Sequence, residues 1–226
     1  CGRSESQRRP VRAALTRPRR LTDPTQRALA AAYSHLGVAF WFRNQRLRMA
    51  YAQLAGMAAA SRAGPCAEYV HACGQLGNAL ATIGLRRFSR RLHQRALRTA
   101  ASLGDVAAQA YVELMVGIYE VGAGNWPEAL AAVDRAQDIW SDLNDDCNWT
   151  NAQVVRFWVH WHQGQREAAW AAARDLSERA RDTGHAQHNA WAERSVGLLQ
   201  LGAGQTEAAL RAGEEATRWL SGAEGR

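Results

Sequence analysis

The chain contains no lysine: all 28 of its basic residues are arginine. That removes the phosphate-binding lysine of a P-loop, a Schiff-base lysine and a Ser–Lys pair from its chemistry. Strand signals are equally sparse. No stretch alternates Val, Ile and Thr with polar residues, while alanine, the strongest helix former, is abundant. No uncharged apolar run approaches the roughly 18 residues of a membrane span. The four cysteines, Cys1, Cys66, Cys73 and Cys147, form no CxxC pair. Cys66 and Cys73 stand too far apart on one helix to form a disulfide, so buried free thiols are expected. Free thiols suit a reducing compartment, and a cytoplasmic location is expected. A start at Cys1-Gly2 rather than Met suggests a fragment or a processed product, with a mature lipoprotein start as the other reading.

Catalytic groupings are also missing. No nucleophile can be paired with a base. His160 and His162, two apart on a helix, point different ways. His185 and His188 can share a face, but no carboxylate or thiolate stands near them in sequence to complete a metal site. Asp142, Asp145 and Asp146 fall in a turn where they cap the next helix. The chain is therefore expected not to be an enzyme, with no catalytic residues, no metal and no cofactor.

What the chain does have is a period of 40 residues. Glycines recur at Gly84, Gly124, Gly164 and Gly204, with Asn44 at the same phase. A second ladder runs Gly64, Gly104, Asn144 and Gly184. Glycine and asparagine tolerate the left-handed conformation that closes a helix, so both ladders read as helix stops. The segments between stops hold helices of about 16 residues. Amphipathic spacing agrees, as in Pro127–Trp140, where Leu130, Val133, Ala136 and Trp140 recur at steps of three or four. The expected pairs are 24–64, 65–104, 105–144, 145–184 and 185–222. Internal repeats at such a period mark stacked helix pairs. A third ladder, Gly37, Gly77, Gly117 and Gly197, falls inside the first helix of its pair, with Phe157 on the missing rung. A mid-helix glycine costs about 1 kcal/mol against alanine, so a neighbouring helix is expected to approach too closely for a Cβ.

Leu36-Gly37, Leu76-Gly77, Val116-Gly117 and Val196-Gly197 are followed by Ala129, Ala169 and Ala209, then by Ala96, Ala136 and Ala216. This pattern resembles that of tetratricopeptide (TPR) repeats, with a period longer than the usual 34 residues. The expected fold is all-α, a right-handed α-solenoid of about five TPR-like helix pairs. The run from Gly74 to Arg91, with Gly122-Ala-Gly-Asn-Trp-Pro-Glu-Ala-Leu and His188-Asn-Ala-Trp-Ala, is similar to the TPR-like tails of large bacterial signalling ATPases. In those, a nucleotide cyclase or kinase domain, an AAA/STAND-type ATPase domain and the helical array share one polypeptide. The likeness covers about residues 25–220, and the cyclase and ATPase parts have no counterpart here.

Charge is uneven. Residues 1–22 hold seven arginines and one acid, with Pro10 and Pro18 among them. They bury little apolar surface and read as a flexible basic arm or linker ahead of a solenoid over 23–226. Residues 23–104 carry +9 and residues 105–226 carry −8, so the body is expected to be basic at one end and acidic at the other. The densest basic element presents Arg86, Arg87, Arg90, Arg91, Arg95 and Arg98 over about half a helical turn of arc, with Phe88, Leu92, Ala96 and Leu103 opposite. Such a face can neutralise phosphates, be simply solvated, or dock on an acidic neighbour.

In TPR-type stacks the first helix of each pair lines the groove. That resemblance implies groove positions at Trp41, Phe42, His71, Asn78, Tyr111, Trp158, Trp161, His162, Trp191 and Arg194. Aromatics with a few polar groups suit a peptide or an apolar ligand. The same tryptophans at helical spacing equally suit core. Three functional readings result. The first is a non-catalytic protein-interaction or regulatory scaffold that binds a peptide or partner domain, such as the ATPase or cyclase domain of its own polypeptide. The second is a small-ligand sensor using the aromatic fourth pair. The third is a nucleic-acid-binding helical array using the Arg86–Arg98 face.

Overall fold

The computed structural model describes residues 23–223. The expected basic arm, Cys1 and the last three residues lie outside them. Among the described residues there are ten helices and no strand. In chain order they are α1 (Pro24–Phe42), α2 (Arg46–Ala63), α3 (Ala67–Thr82), α4 (Arg86–Leu103), α5 (Val106–Ala123), α6 (Trp126–Asp142), α7 (Asp146–His162), α8 (Arg166–Thr183), α9 (Ala186–Gly202) and α10 (Thr206–Ala223). This is the all-α architecture of a helical-repeat solenoid.

The turns show why the helices stop where they do. Every residue of the first two ladders has positive φ, from 53° at Asn144 to 94° at Gly64. Gly104 and Gly184 are left-handed caps whose N–H groups bond back into the last turn, to Ala100 and Ala101 and to Ala180 and Arg181. Three helix starts are capped by aspartates. Asp23 Oδ1 accepts from the N–H groups of Thr25 and Gln26, and Asp105 Oδ1 from that of Ala108. Asp145 Oδ1 accepts from Asn148 N at 3.0 Å, which makes Asp145 the capping residue of its acidic turn. Asp146 instead pairs with Arg179, whose guanidinium lies 4.2 Å over Trp149.

The described chain forms two compact units that divide within α5, between Tyr119 and Glu120. The first unit has a core of small and medium side chains: Met57, Ala60, Tyr69, Val70, Cys73, Leu76, Leu92 and Ala96. Cys66 and Cys73 are buried, and burial pushes their thiols up to about 11 and about 12. The second unit packs Phe157 and Leu199 against Ala169, Ala172 and Ala173, and Leu176 against Ala180 and Ala192. It also carries a buried polar seam. Gln137 donates to Gln153 at 2.8 Å and accepts from Arg156, which pairs with Asp134; Gln153 donates to Asp175 and to the Ala172 carbonyl.

Three expectations need correction. Cys147, in the first turn of α7, is exposed, unlike the other two described cysteines. Phe88 and Leu103 are exposed too. The inward face of α4 is Ser89, Leu92, His93, Ala96 and Ala100, which puts Phe88 beside the arginines, with Arg91 5.9 Å over its ring. Gly77 fits the expectation: a Cβ there would lie 2.5 Å from Nε2 of His93 on the neighbouring α4. At Gly37 a Cβ would meet Gln53 at an ordinary 3.6 Å, so crowding does not explain that glycine. Gly197 fits the expected close approach of helices, with Ala212 Cβ at 3.2 Å and the Ala209 carbonyl at 3.4 Å.

Candidate functional site

The groove residues fall into two groups, one in each unit. In the first unit, Trp41 and Phe42 end α1 and are exposed. His71 on α3 and Tyr111 on α5 meet with ring centroids 4.2 Å apart. Burial lowers the His71 imidazole and pushes the Tyr111 phenol up to about 12. Beside them Gln75 donates to Ser34 Oγ at 2.7 Å, and Asn78 donates to Met115 Sδ at 3.4 Å. Asn78 Oδ1 is buried with no hydrogen-bond donor among the described residues. α3 and α5 approach closely here because α3 carries Gly74: a Cβ there would lie 3.0 Å from Met115 Cγ.

In the second unit the aromatic residues form a continuous stack. Trp126 lies 5.9 Å from His162 at 22°, and His162 lies 5.5 Å from Trp158 at 27°. The Arg194 guanidinium closes the row 4.8 Å over the Trp158 ring. A guanidinium over an indole face is attracted by the ring quadrupole. His162 and Trp158 face the same way because they are four apart on α7; Trp126 comes from the start of α6 and Arg194 from α9. Phe157 anchors the row from behind. It is fully buried, edge-on to Trp158 and stacked with Trp161 at 6.2 Å. Trp161 lies against Gly202, where a Cβ would be 3.1 Å from its ring, and is half-buried. Trp191 is half-buried 5.7 Å from His188, outside the stack.

Of the ten expected groove residues, then, Trp158, His162 and Arg194 come together directly, with Trp161 linked through Phe157. His71 and Tyr111 form a separate pair. Sequence reasoning missed Trp126, whose place after the Gly124 turn marks it as the first residue of a second helix. It also missed that Phe157 on the glycine rung is core.

The arginines of α4 are not equivalent. Arg90 donates to Tyr119 Oη at 3.1 Å, and Arg95 lies 6.0 Å from the Tyr69 ring centroid and is half-buried. Arg86, Arg87 and Arg98 are exposed, and no ion pair forms on this face among the described residues. His185 and His188 do meet, at 4.4 Å, and His188 Nε2 lies 3.1 Å from Asn151 Oδ1 and 4.0 Å from Cys147 Sγ. Burial lowers the His188 imidazole to about 4. No group of three metal-ligating side chains occurs among the described residues, and none of their helices is long and apolar enough to cross a membrane.

No family model matches the chain, and no curated protein matches it. Among solved structures the chain is similar to BtubC (BKLC) from P. vanneervenii, at 14% identity and a TM-score of 0.62. That match covers 99% of this chain and 94% of the other, and it places the chain among helical-repeat folds.

Proposed function

We propose that this protein is a non-catalytic interaction module whose second unit holds a peptide or partner domain against the Trp126–His162–Trp158–Arg194 row. The observation that supports the reading is that row itself. It joins three helices, stands on the buried Phe157, and carries exposed polar groups at His162 and Arg194. A preformed aromatic and arginine surface loses little side-chain entropy on binding and is the composition of interface hot spots. In this reading residues 23–226 are a TPR-like repeat region behind a basic arm. The array serves as a cytoplasmic signalling tail like those of the bacterial ATPases it resembles, and acts by binding two states of an attached domain unequally.

The experiment is affinity capture from native lysate by the chain and by a Trp158→Ala/Arg194→Ala variant with unchanged helix content. A protein recovered by the first and lost by the second supports the reading. Equal recovery by both removes the site from the stack. Two other outcomes point to the other readings. Capture of nucleic acid alone, abolished by Arg86→Ala/Arg87→Ala and by salt, moves the function to α4. A small molecule that quenches tryptophan emission and raises Tm makes the row a sensor site.

A further inference from the structure

The turns inside the first two helix pairs, α1–α2 and α3–α4, lie on one edge of the first unit. α1 and α3 run parallel and in register, tied by Arg27–Glu68 near their starts and by Gln75–Ser34 further along. Their C-terminal ends therefore emerge side by side, and with them the two turns. Four large apolar side chains are exposed on that edge: Leu47 (89% exposed), Ile83 (69%), Leu85 and Phe88. Exposure there belongs to the position in the repeat. The counterparts of Leu47 are Arg87, Pro127, Glu167 and Glu207, all exposed, and those of Leu85 include the exposed Gln165 and Gln205. At these four positions the second unit carries no large apolar residue.

Arginines surround the four. Arg43, Arg46 and Arg48 flank Leu47; Arg86, Arg87 and Arg91 flank Phe88, with Arg91 over its ring. None of these six forms an ion pair among the described residues. The only acid from 24 to 104 is Glu68, which pairs with Arg27 at the other end of the helices. Helix stability does not ask for the arginines. α6, α8 and α10 carry Glu128, Glu167 and Glu207 in their first turns, where negative charge suits the helix dipole, and α2 and α4 have no acid there.

We propose that this edge docks on an anionic membrane surface, with the arginines among the lipid phosphates and Leu47, Ile83, Leu85 and Phe88 in the acyl boundary. The combination of charge and apolar tips selects the occupant. A nucleic-acid backbone would satisfy the arginines and offer bases to Phe88, but it leaves three aliphatic side chains in water. A bilayer interface takes both: arginine heads stay with the phosphates while their stems and the aliphatic tips lie in the apolar layer. Unpaired positive charge selects anionic over neutral lipid. The edge belongs to the first unit and uses none of the aromatic row of the second, so it stands apart from the peptide reading.

Co-sedimentation of the full chain with vesicles of equimolar phosphatidylcholine and phosphatidylserine tests the proposal. The chain should pellet with these vesicles, at least about tenfold less with pure phosphatidylcholine, and less at high salt. An arginine near the surface is worth roughly a fivefold factor, so Arg86→Gln/Arg87→Gln should weaken binding roughly 25-fold. Residues 1–22 bring seven arginines of their own to every variant, so differences between variants read the edge. Leu47→Gln/Ile83→Gln/Leu85→Gln leaves the charge unchanged and should weaken binding at least about tenfold. Its circular dichroism and Tm should match wild type, because all three side chains are exposed and glutamine already stands at the counterparts Gln163 and Gln165. If they do not match, Ile83→Gln alone replaces it, with a smaller loss of binding. Trp158→Ala/Arg194→Ala should bind vesicles as wild type does. Undiminished binding by the glutamine variant would overturn the proposal, since charge alone would then hold the chain. So would equal binding to neutral vesicles, or a chain that pellets with neither vesicle; if that chain holds an oligodeoxythymidylate probe instead, the face belongs to nucleic acid.

Discussion

Replacing Gly77 by alanine tests the packing logic of the first unit most sharply, because two known effects oppose each other. Alanine is the better helix former, and at an open mid-helix position the change should stabilise by about 1 kcal/mol. At Gly77 the new methyl would lie 2.5 Å from His93 Nε2 and 2.7 Å from its Cδ2. The imidazole has little room to retreat. His93 is 3% exposed, its ring meets Tyr119 edge-on at 5.5 Å, and its Nε2 lies 3.4 Å from the Gly74 carbonyl. Overpacking of this kind costs about 1–3 kcal/mol, and losing the bond to Gly74 costs about 1 more. Gly77→Ala should therefore destabilise by about 1–3 kcal/mol net. Urea unfolding followed by far-UV circular dichroism is the suitable assay, since eight of the nine tryptophans lie in the second unit and their emission does not report on the first. The decisive comparison is a double-mutant cycle. In a His93→Ala background the obstacle is gone, and Gly77→Ala should change sign and stabilise. A Gly77→Ala protein as stable as wild type, or the same effect in both backgrounds, would show that His93 does not dictate the glycine.

Acid should weaken the same region. Burial lowers His93 from 6.5 to about 4, so the fold favours its neutral form. The stability this gives is present above pH 6.5 and lost as the unfolded chain takes up the proton between pH 6.5 and about 4, by about 3 kcal/mol in all; His93→Gln should flatten that part of the profile. Cys147, the exposed thiol, should react with Ellman's reagent in the native state, while Cys66 and Cys73 wait for unfolding. Partial desolvation and the nearby Asp145 hold its thiol up, so labelling should quicken as pH rises. Equal native rates for all three would contradict their placement; a Cys1→Ser background keeps that thiol out of the count. Asp145→Ala removes the cap of α7 and should cost about 1 kcal/mol, read by tryptophan emission during urea unfolding. Phe157→Ala should cost more, about 3–5 kcal/mol, because the ring is fully buried.

What the sequence made legible was what depends on one residue at a time. A left-handed φ is a local property that glycine and asparagine advertise, so the turns at Asn44, Gly84 and Asn144 could be read directly. The period then divided the helices into pairs without further information. The basic face of α4 was half legible. Arginine spacing gave the face, but the exposure of Phe88 and Leu103 follows from which side of α4 meets Gly77, and that is a property of two helices.

The third ladder shows where single-residue reading stops. Two of its rungs meet a side chain sixteen residues on, in the second helix of the same pair: Gln53 at Gly37 and His93 at Gly77. Gly77 faces His93, so the small residue lies on the first helix and the large one on the second. In the fourth pair the order is reversed: Phe157 occupies the glycine rung and packs in one cluster with Ala173 and its small neighbours Ala169 and Ala172. The sum of volumes is what the space between the helices constrains, and either helix can supply it. Phe157 is thus a compensated exchange rather than a broken rule. The exchange still has a consequence for the site. A large ring on α7, in place of glycine, is what props Trp158 edge-on and meets Trp161 in parallel. The fourth pair is aromatic-rich at its surface because its core volume was moved onto the helix that carries that surface. No ladder, moment or composition taken from one segment could have shown it, since the alanines that permit it lie on α8.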